Sequence, residues 1–132
     1  MSYMIRDTAV IDLLSGNDTL RDSLLTEVVV LESTGRANVE LKFDARAGSQ
    51  FSQVALKFTE VVEFKFHYDN DYTSFDVWDL KFLRLNDGTF YIALDPDPVT
   101  LPPACVTEIE ATSTDYFFVR AHHIEAVVTK TG

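Results

Sequence analysis

Alternation with a period of two constrains this chain more than any other feature. From Ala37 to Asp44, Val39, Leu41 and Phe43 fall on one side and Asn38, Glu40 and Lys42 on the other. Side chains alternate across a strand, so this is the pattern of a strand with one buried and one solvated face. Gln53 to Thr59 repeats it, with Val54, Leu56 and Phe58 against Lys57 and Thr59. Val62 to Tyr68 does so again, setting Val62, Phe64, Phe66 and Tyr68 opposite Glu63, Lys65 and His67. Between these two runs Thr59-Glu60-Val61 holds no Gly, Pro or Asn. They read either as one long bent strand or as two strands linked by a crossing.

Further strands are expected at Glu27 to Ser33, Val77 to Leu85, Thr89 to Leu94, Cys105 to Ala111, Tyr116 to Ala121 and Ile124 to Lys130. Thr34-Gly35-Arg36 supplies a turn, and Asn86-Asp87-Gly88 gives the strongest hairpin signal, as a type I′ or bulged turn. Four prolines between Pro96 and Pro103 exclude a regular central strand there. The first 25 residues are ambiguous. Asp18 is a candidate N-cap for a short helix over Thr19 to Leu25, while Ala9 to Leu14 is too short to arbitrate between helix and strand. The expectation is a single all-β domain over residues 1–132. It is an antiparallel sandwich or open barrel of about eight or nine strands with a short helical or irregular N-terminal segment.

The chain has 132 residues and a formal charge of −10, unevenly spread. Residues 66–119 hold ten acidic and two basic groups, a balance of −8. Seven aspartates lie between Asp69 and Asp97: Asp69, Asp71, Asp76, Asp79, Asp87, Asp95 and Asp97. Asp is a common turn residue because its carboxylate bonds nearby backbone N–H groups. Turn chemistry does not account for the shortage of Lys and Arg in the same stretch. Asp69, Asp71, Asp76, Asp87, Asp95 and Asp97 are therefore the candidate contact residues for a cationic protein partner. The negative balance disfavours nucleic acid and anionic membrane as partners.

Other chemistry is weakly signalled. His67, Asp69 and Asp71 share a spacing of two, but the segment lacks the later Gly and Glu of a calcium loop, and no metal or other cofactor is expected. His122-His123 would point to opposite strand faces unless a bulge intervened. The expectation is one buried or hydrogen-bonded histidine and one exposed one. Cys105 is the sole cysteine, and its acidic neighbours Glu108 and Glu110 disfavour a thiolate nucleophile. No nucleophile elbow, phosphate-binding glycine loop or zinc-protease motif occurs, so no catalytic residue is assigned. The first residues carry charges at Arg6, Asp7 and Asp12 with no apolar h-region, so they do not read as a signal peptide. No apolar run approaches the roughly 20 residues of a membrane helix. A cytoplasmic protein, monomeric or homodimeric, is expected.

The run ANVELKFDARAGSQFSQVALKFTEVVEFKFHY, residues 37–68, and the phrase FFVRAHHIEAVV, residues 117–128, resemble small uncharacterised bacterial all-β domains. Some of those are assigned as immunity proteins of polymorphic toxin systems. The resemblance implies the fold and a non-enzymatic, immunity-like binding role, and it carries over no site residue. Two alternatives stand beside it. One is a small-ligand-binding β-barrel or an enzyme with an aromatic-lined cavity, and the other is a homo-oligomerising β module.

Overall fold

The computed structural model describes residues 2–14, 20, 22–66, 76–77, 80–94 and 117–131. Eight antiparallel strands and one short helix make up this part: β1 (Ser2–Arg6), α1 (Thr8–Leu14), β2 (Ser23–Ser33), β3 (Arg36–Asp44), β4 (Phe51–Phe66), β5 (Asp76–Val77), β6 (Leu80–Arg84), β7 (Phe90–Leu94) and β8 (Phe117–Lys130). The main path of the sheet runs β5-β2-β3-β4-β8-β7-β6. The architecture is the expected open all-β one.

β8 organises it. One edge pairs along almost its whole length with β4, from Phe51↔Lys130 to Phe66↔Phe117. The other edge is shared. β7 takes the first part, from Ala93↔Phe118 to Phe90↔Ala121, and β1 takes the second, from Arg6↔Glu125 to Ser2↔Thr129.

Connectivity forces the sheet to roll. A flat array in this order would set β5 and β6 about 29 Å apart, at roughly 4.8 Å per strand. Val77 ends β5 and Leu80 begins β6. Three chain steps cap their Cα separation at about 11 Å. The two ends of the sheet therefore curl toward each other. No ladder joins β5 to β6 among the described residues, so the sheet rolls without closing.

The bend that permits this is visible in the burial phase of β4 and β8. On β4 the buried residues are Val54, Leu56 and Phe58, and then Val61 packs inward. On β8 they are Phe117, Val119 and Ala121, then Ile124, Ala126 and Val128. Each strand skips one beat at the same level, over Thr59-Glu60 and His122-His123. Glu60 sits there at φ 52°, and the ladder shifts register between Val61 and Glu63. Strands that pass from one layer to a crossing layer turn such corners through bulges. β3 stays with β4 only up to Val39↔Phe58, just short of the corner.

One core fills the inside of the roll. Val39, Leu41 and Phe43 of β3 meet Leu56 and Phe58 of β4, Ile92 of β7 and Val119 and Ile124 of β8, all 0–1% exposed. α1 adds Val10, which is also fully buried. A smaller cluster of Leu85, Tyr91, Ala93 and Phe118 lies apart from it, so β7 is buried along its whole length.

Several expectations are corrected. The N-terminal helix is Thr8–Leu14, not Thr19 to Leu25. Ser23 to Leu25 begin β2, where Leu25 is buried and Leu24 is 44% exposed, a strand alternation that the pair of adjacent leucines conceals. β1 was not anticipated as a strand, because its burial is shallow and its partner lies more than a hundred residues away. Val77 to Leu85 is not one strand, since its two ends pair with β2 and β7 at opposite ends of the sheet. Val62 and Phe64 are not core residues, being 50% and 39% exposed beyond the corner. Gln53 to Tyr68 is one bent strand as far as Phe66, and the runs on either side of His122-His123 are likewise one strand. The proline-rich stretch, Cys105 to Ala111 and His67 lie outside the described residues.

Candidate functional site

Two polar clusters outside the core have defined geometry. The first sits on the corner. Arg6 ends the β1–β8 ladder opposite Glu125, and Asp7 then turns the chain into α1 at φ 52°. Asp7 still holds β8: its N–H donates to Ile124 O at 2.8 Å, and the Ile124 N–H donates to Asp7 Oδ1 at 3.1 Å. The side chain thus supplies the acceptor that a further strand residue would have supplied. The second carboxylate oxygen faces His123, with Asp7 Oδ2 3.6 Å from His123 Nδ1. On the far side of the ring, His123 Nε2 lies 3.1 Å from Glu60 Oε2. His123 is 58% exposed at its side chain, so this is a surface cluster.

Around it Arg6, Asp7, Thr59, His123, Ile124 and Glu125 line an open, mainly polar depression of about 370 Å³. Arg6 Nε is engaged by Glu125 Oε2 at 3.5 Å. The two carboxylates approach the imidazole from opposite edges, so they do not converge on a common point as metal ligands would. No group of three metal-ligating side chains converges among the described residues.

The second cluster closes the β6–β7 hairpin. Leu85 N–H donates to Thr89 O at 2.8 Å and Gly88 N–H to Leu85 O at 2.9 Å, with Gly88 at φ 86°. This is the bulged form of the hairpin turn, in which only the glycine needs a positive φ. Asp87 folds back, accepting from Thr89 N–H at 3.0 Å and from Thr89 Oγ1 at 2.6 Å. Arg120 of β8 ion-pairs with Asp87 Oδ2 and donates through Nε to Thr89 Oγ1 at 3.1 Å. The Arg120 side chain is 11% exposed and Thr89 is buried. Thr89's hydroxyl and N–H, and then Arg120, hold the Asp87 carboxyl down at about 2 from an ordinary 3.8. Burial opposes them without reversing the shift.

Of the sequence-derived contact residues, Asp87 is therefore tied to the hairpin anchor. Asp76 lies in β5, paired with Leu24. Asp69, Asp71, Asp95 and Asp97 lie outside the described residues. Sequence reading missed Asp7, Glu60 and His123 as a group. The available signal was the doubled step in apolar phase between Ala121 and Ile124, which leaves two consecutive polar residues at a bulge.

Charge is unevenly spread along the chain. The described residues hold twelve acidic and ten basic groups. Residues 67–75, 78–79 and 95–116 hold eight acidic groups and neither lysine nor arginine. In the sheet, acids meet bases across strands, as in Glu27–Lys42 at 3.6 Å and Arg6–Glu125. A second, smaller depression of about 240 Å³ lies on the solvent face, where Thr26, Lys42, Asp44, Gln53 and Thr129 surround Val127. Compared with family models, with curated proteins and with solved structures, the chain finds no match in any of the three. No helix among the described residues is long and apolar enough to cross a membrane.

Proposed function

We propose that this is a non-enzymatic, immunity-like binding protein that occludes a cationic protein partner. The carrying observation is the uneven charge: the described residues are close to balanced, and residues 67–75, 78–79 and 95–116 hold eight acidic groups with neither lysine nor arginine. An acidic surface accelerates encounter with a basic partner and selects against acidic ones. Large apolar side chains among the described residues pack the inside of the roll, which favours surface recognition over a carrier role. Phe43, Leu56, Phe58, Ile92 and Ile124 occupy the inside of the roll, and the two depressions lined by described residues open to solvent. The candidate contact residues are Asp69, Asp71, Asp76, Asp95 and Asp97, with Asp87 contributing only what its exposed edge leaves free. A cytoplasmic location suits this role.

Co-purification from the native host, followed by charge reversal of Asp69, Asp71, Asp95 and Asp97 to lysine, tests the reading. The reversed variant should bind the co-purified partner at least about tenfold more weakly at low salt, with a flatter salt dependence. An unchanged affinity and salt slope would sink the electrostatic account.

A further inference from the structure

We infer that His123 is a pH-sensitive latch at the sheet corner, closed when its imidazole is protonated and loosened when it is not. The geometry sets this up. Both ring nitrogens face carboxylates, Nδ1 toward Asp7 and Nε2 toward Glu60. Only the imidazolium presents an N–H on both sides. A neutral ring can keep its proton on Nε2 and donate to Glu60, but it then turns the Nδ1 lone pair toward the Asp7 carboxylate.

The three residues come from three different parts of the chain. His123 belongs to β8, Glu60 to the β4 corner and Asp7 to the turn between β1 and α1. Asp7 and Glu60 both hold a positive φ, 52° each, which residues with a Cβ adopt at a cost. Such a conformation persists where contacts over-determine it, and the bridging imidazolium is one of those contacts.

The other charged groups around the ring do not cancel the effect. Arg6 of β1 is engaged by Glu125 of β8, and Lys57 of β4 stands opposite Glu125 in the ladder. α1 carries a single ionisable residue, Asp12, which is exposed. His122, next along β8, is also exposed. The balance at the ring is thus two carboxylates against one imidazolium. Protonation of the ring tightens the latch, and loss of the proton loosens it. The element loosened is the β1–α1 turn, whose backbone hold on β8 beyond Arg6 is the Asp7–Ile124 pair of hydrogen bonds, with Val10 packed in the core behind it.

Amide hydrogen exchange of the full chain, read by NMR at about pH 5.5 and about pH 8, tests this. Protection of the Asp7 and Ile124 amides, corrected for intrinsic rates and referred to Leu41 and Leu56, should fall about two- to fivefold at the higher pH. His123→Gln should remove that step, Glu60→Gln should shrink it, and His122→Gln should leave it in place. No step in the wild type, or a full step in H123Q or E60Q, overturns the latch, as does its disappearance in H122Q.

Discussion

The hairpin joining β2 to β3 turns on Thr34 and Gly35 and ends in solvent, whereas the one joining β6 to β7 ends in a side-chain cluster. In the first, Thr34 and Gly35 both take positive φ, 52° and 80°, and Val30 and Leu31 behind them are 47% and 44% exposed. Its tip is held locally, by Glu32 accepting from Gly35 N–H at 2.8 Å. In the second, Asp87 and Thr89 are bound by Arg120 of a different strand. The comparison separates two ways of fixing a turn. Backbone conformation alone makes a hairpin. A long-range side-chain anchor makes it part of the core.

The largest expected effect tests the anchor. Arg120→Met should destabilise the protein by about 2 kcal/mol in urea unfolding, because it removes the donor to the buried Thr89 hydroxyl and the ion pair with Asp87, and leaves an apolar side chain in their place. No exposed residue of the β2–β3 tip should approach that. Next come the glycines. Gly35→Ala and Gly88→Ala should each cost about 1 kcal/mol, since the added methyl meets nothing within 4 Å at either site and only the positive φ opposes it. Equal costs would show that the hairpins share their backbone requirement and differ only in side chains.

Acid sharpens the same contrast. Asp87 is held at about 2, below its ordinary 3.8. A lowered value means that its stabilisation is full above about pH 5 and is lost as pH falls toward 2. Allowing for solvent screening, Asp87→Asn should flatten the acid limb of the stability curve by about 1 kcal/mol, measured between about pH 5 and about pH 2.5. The smallest effect should come from Thr34→Asn. Asn tolerates the left-handed region better than a β-branched residue, so thermal unfolding should show a gain of about 0.3–0.5 kcal/mol.

The two hairpins also show what sequence could and could not reveal. Asn86-Asp87-Gly88 and Thr34-Gly35 announce turns because the required φ selects the residues, and that information is local. The alternation in β3 announces its buried face for the same reason. Arg120 gives no such notice. Its role depends on β8 lying beside β7, a pairing that strand periodicity does not encode. The corner cluster was hidden likewise, since Asp7, Glu60 and His123 are brought together only by the register of β1 and β4 on β8. The split of Val77 to Leu85 into two strands was illegible because nothing in those residues says that the sheet curls. The acids from Asp69 to Asp97 were legible as charge.

The position of β8 bears on how the chain folds. It is the last strand described, yet it borders β4, β7 and β1, so the sheet is three separate pieces until it arrives. Made from the N-terminus, β4 and β7 wait with their inner edges unpaired, and the chain has no complete core until residues 117–130 are available. Nearly every pairing that β8 makes spans a long loop, and such contacts close slowly. Refolding should therefore be slow for a domain of this size, and nascent chains lacking β8 should be held by chaperones or lost to edge-to-edge aggregation.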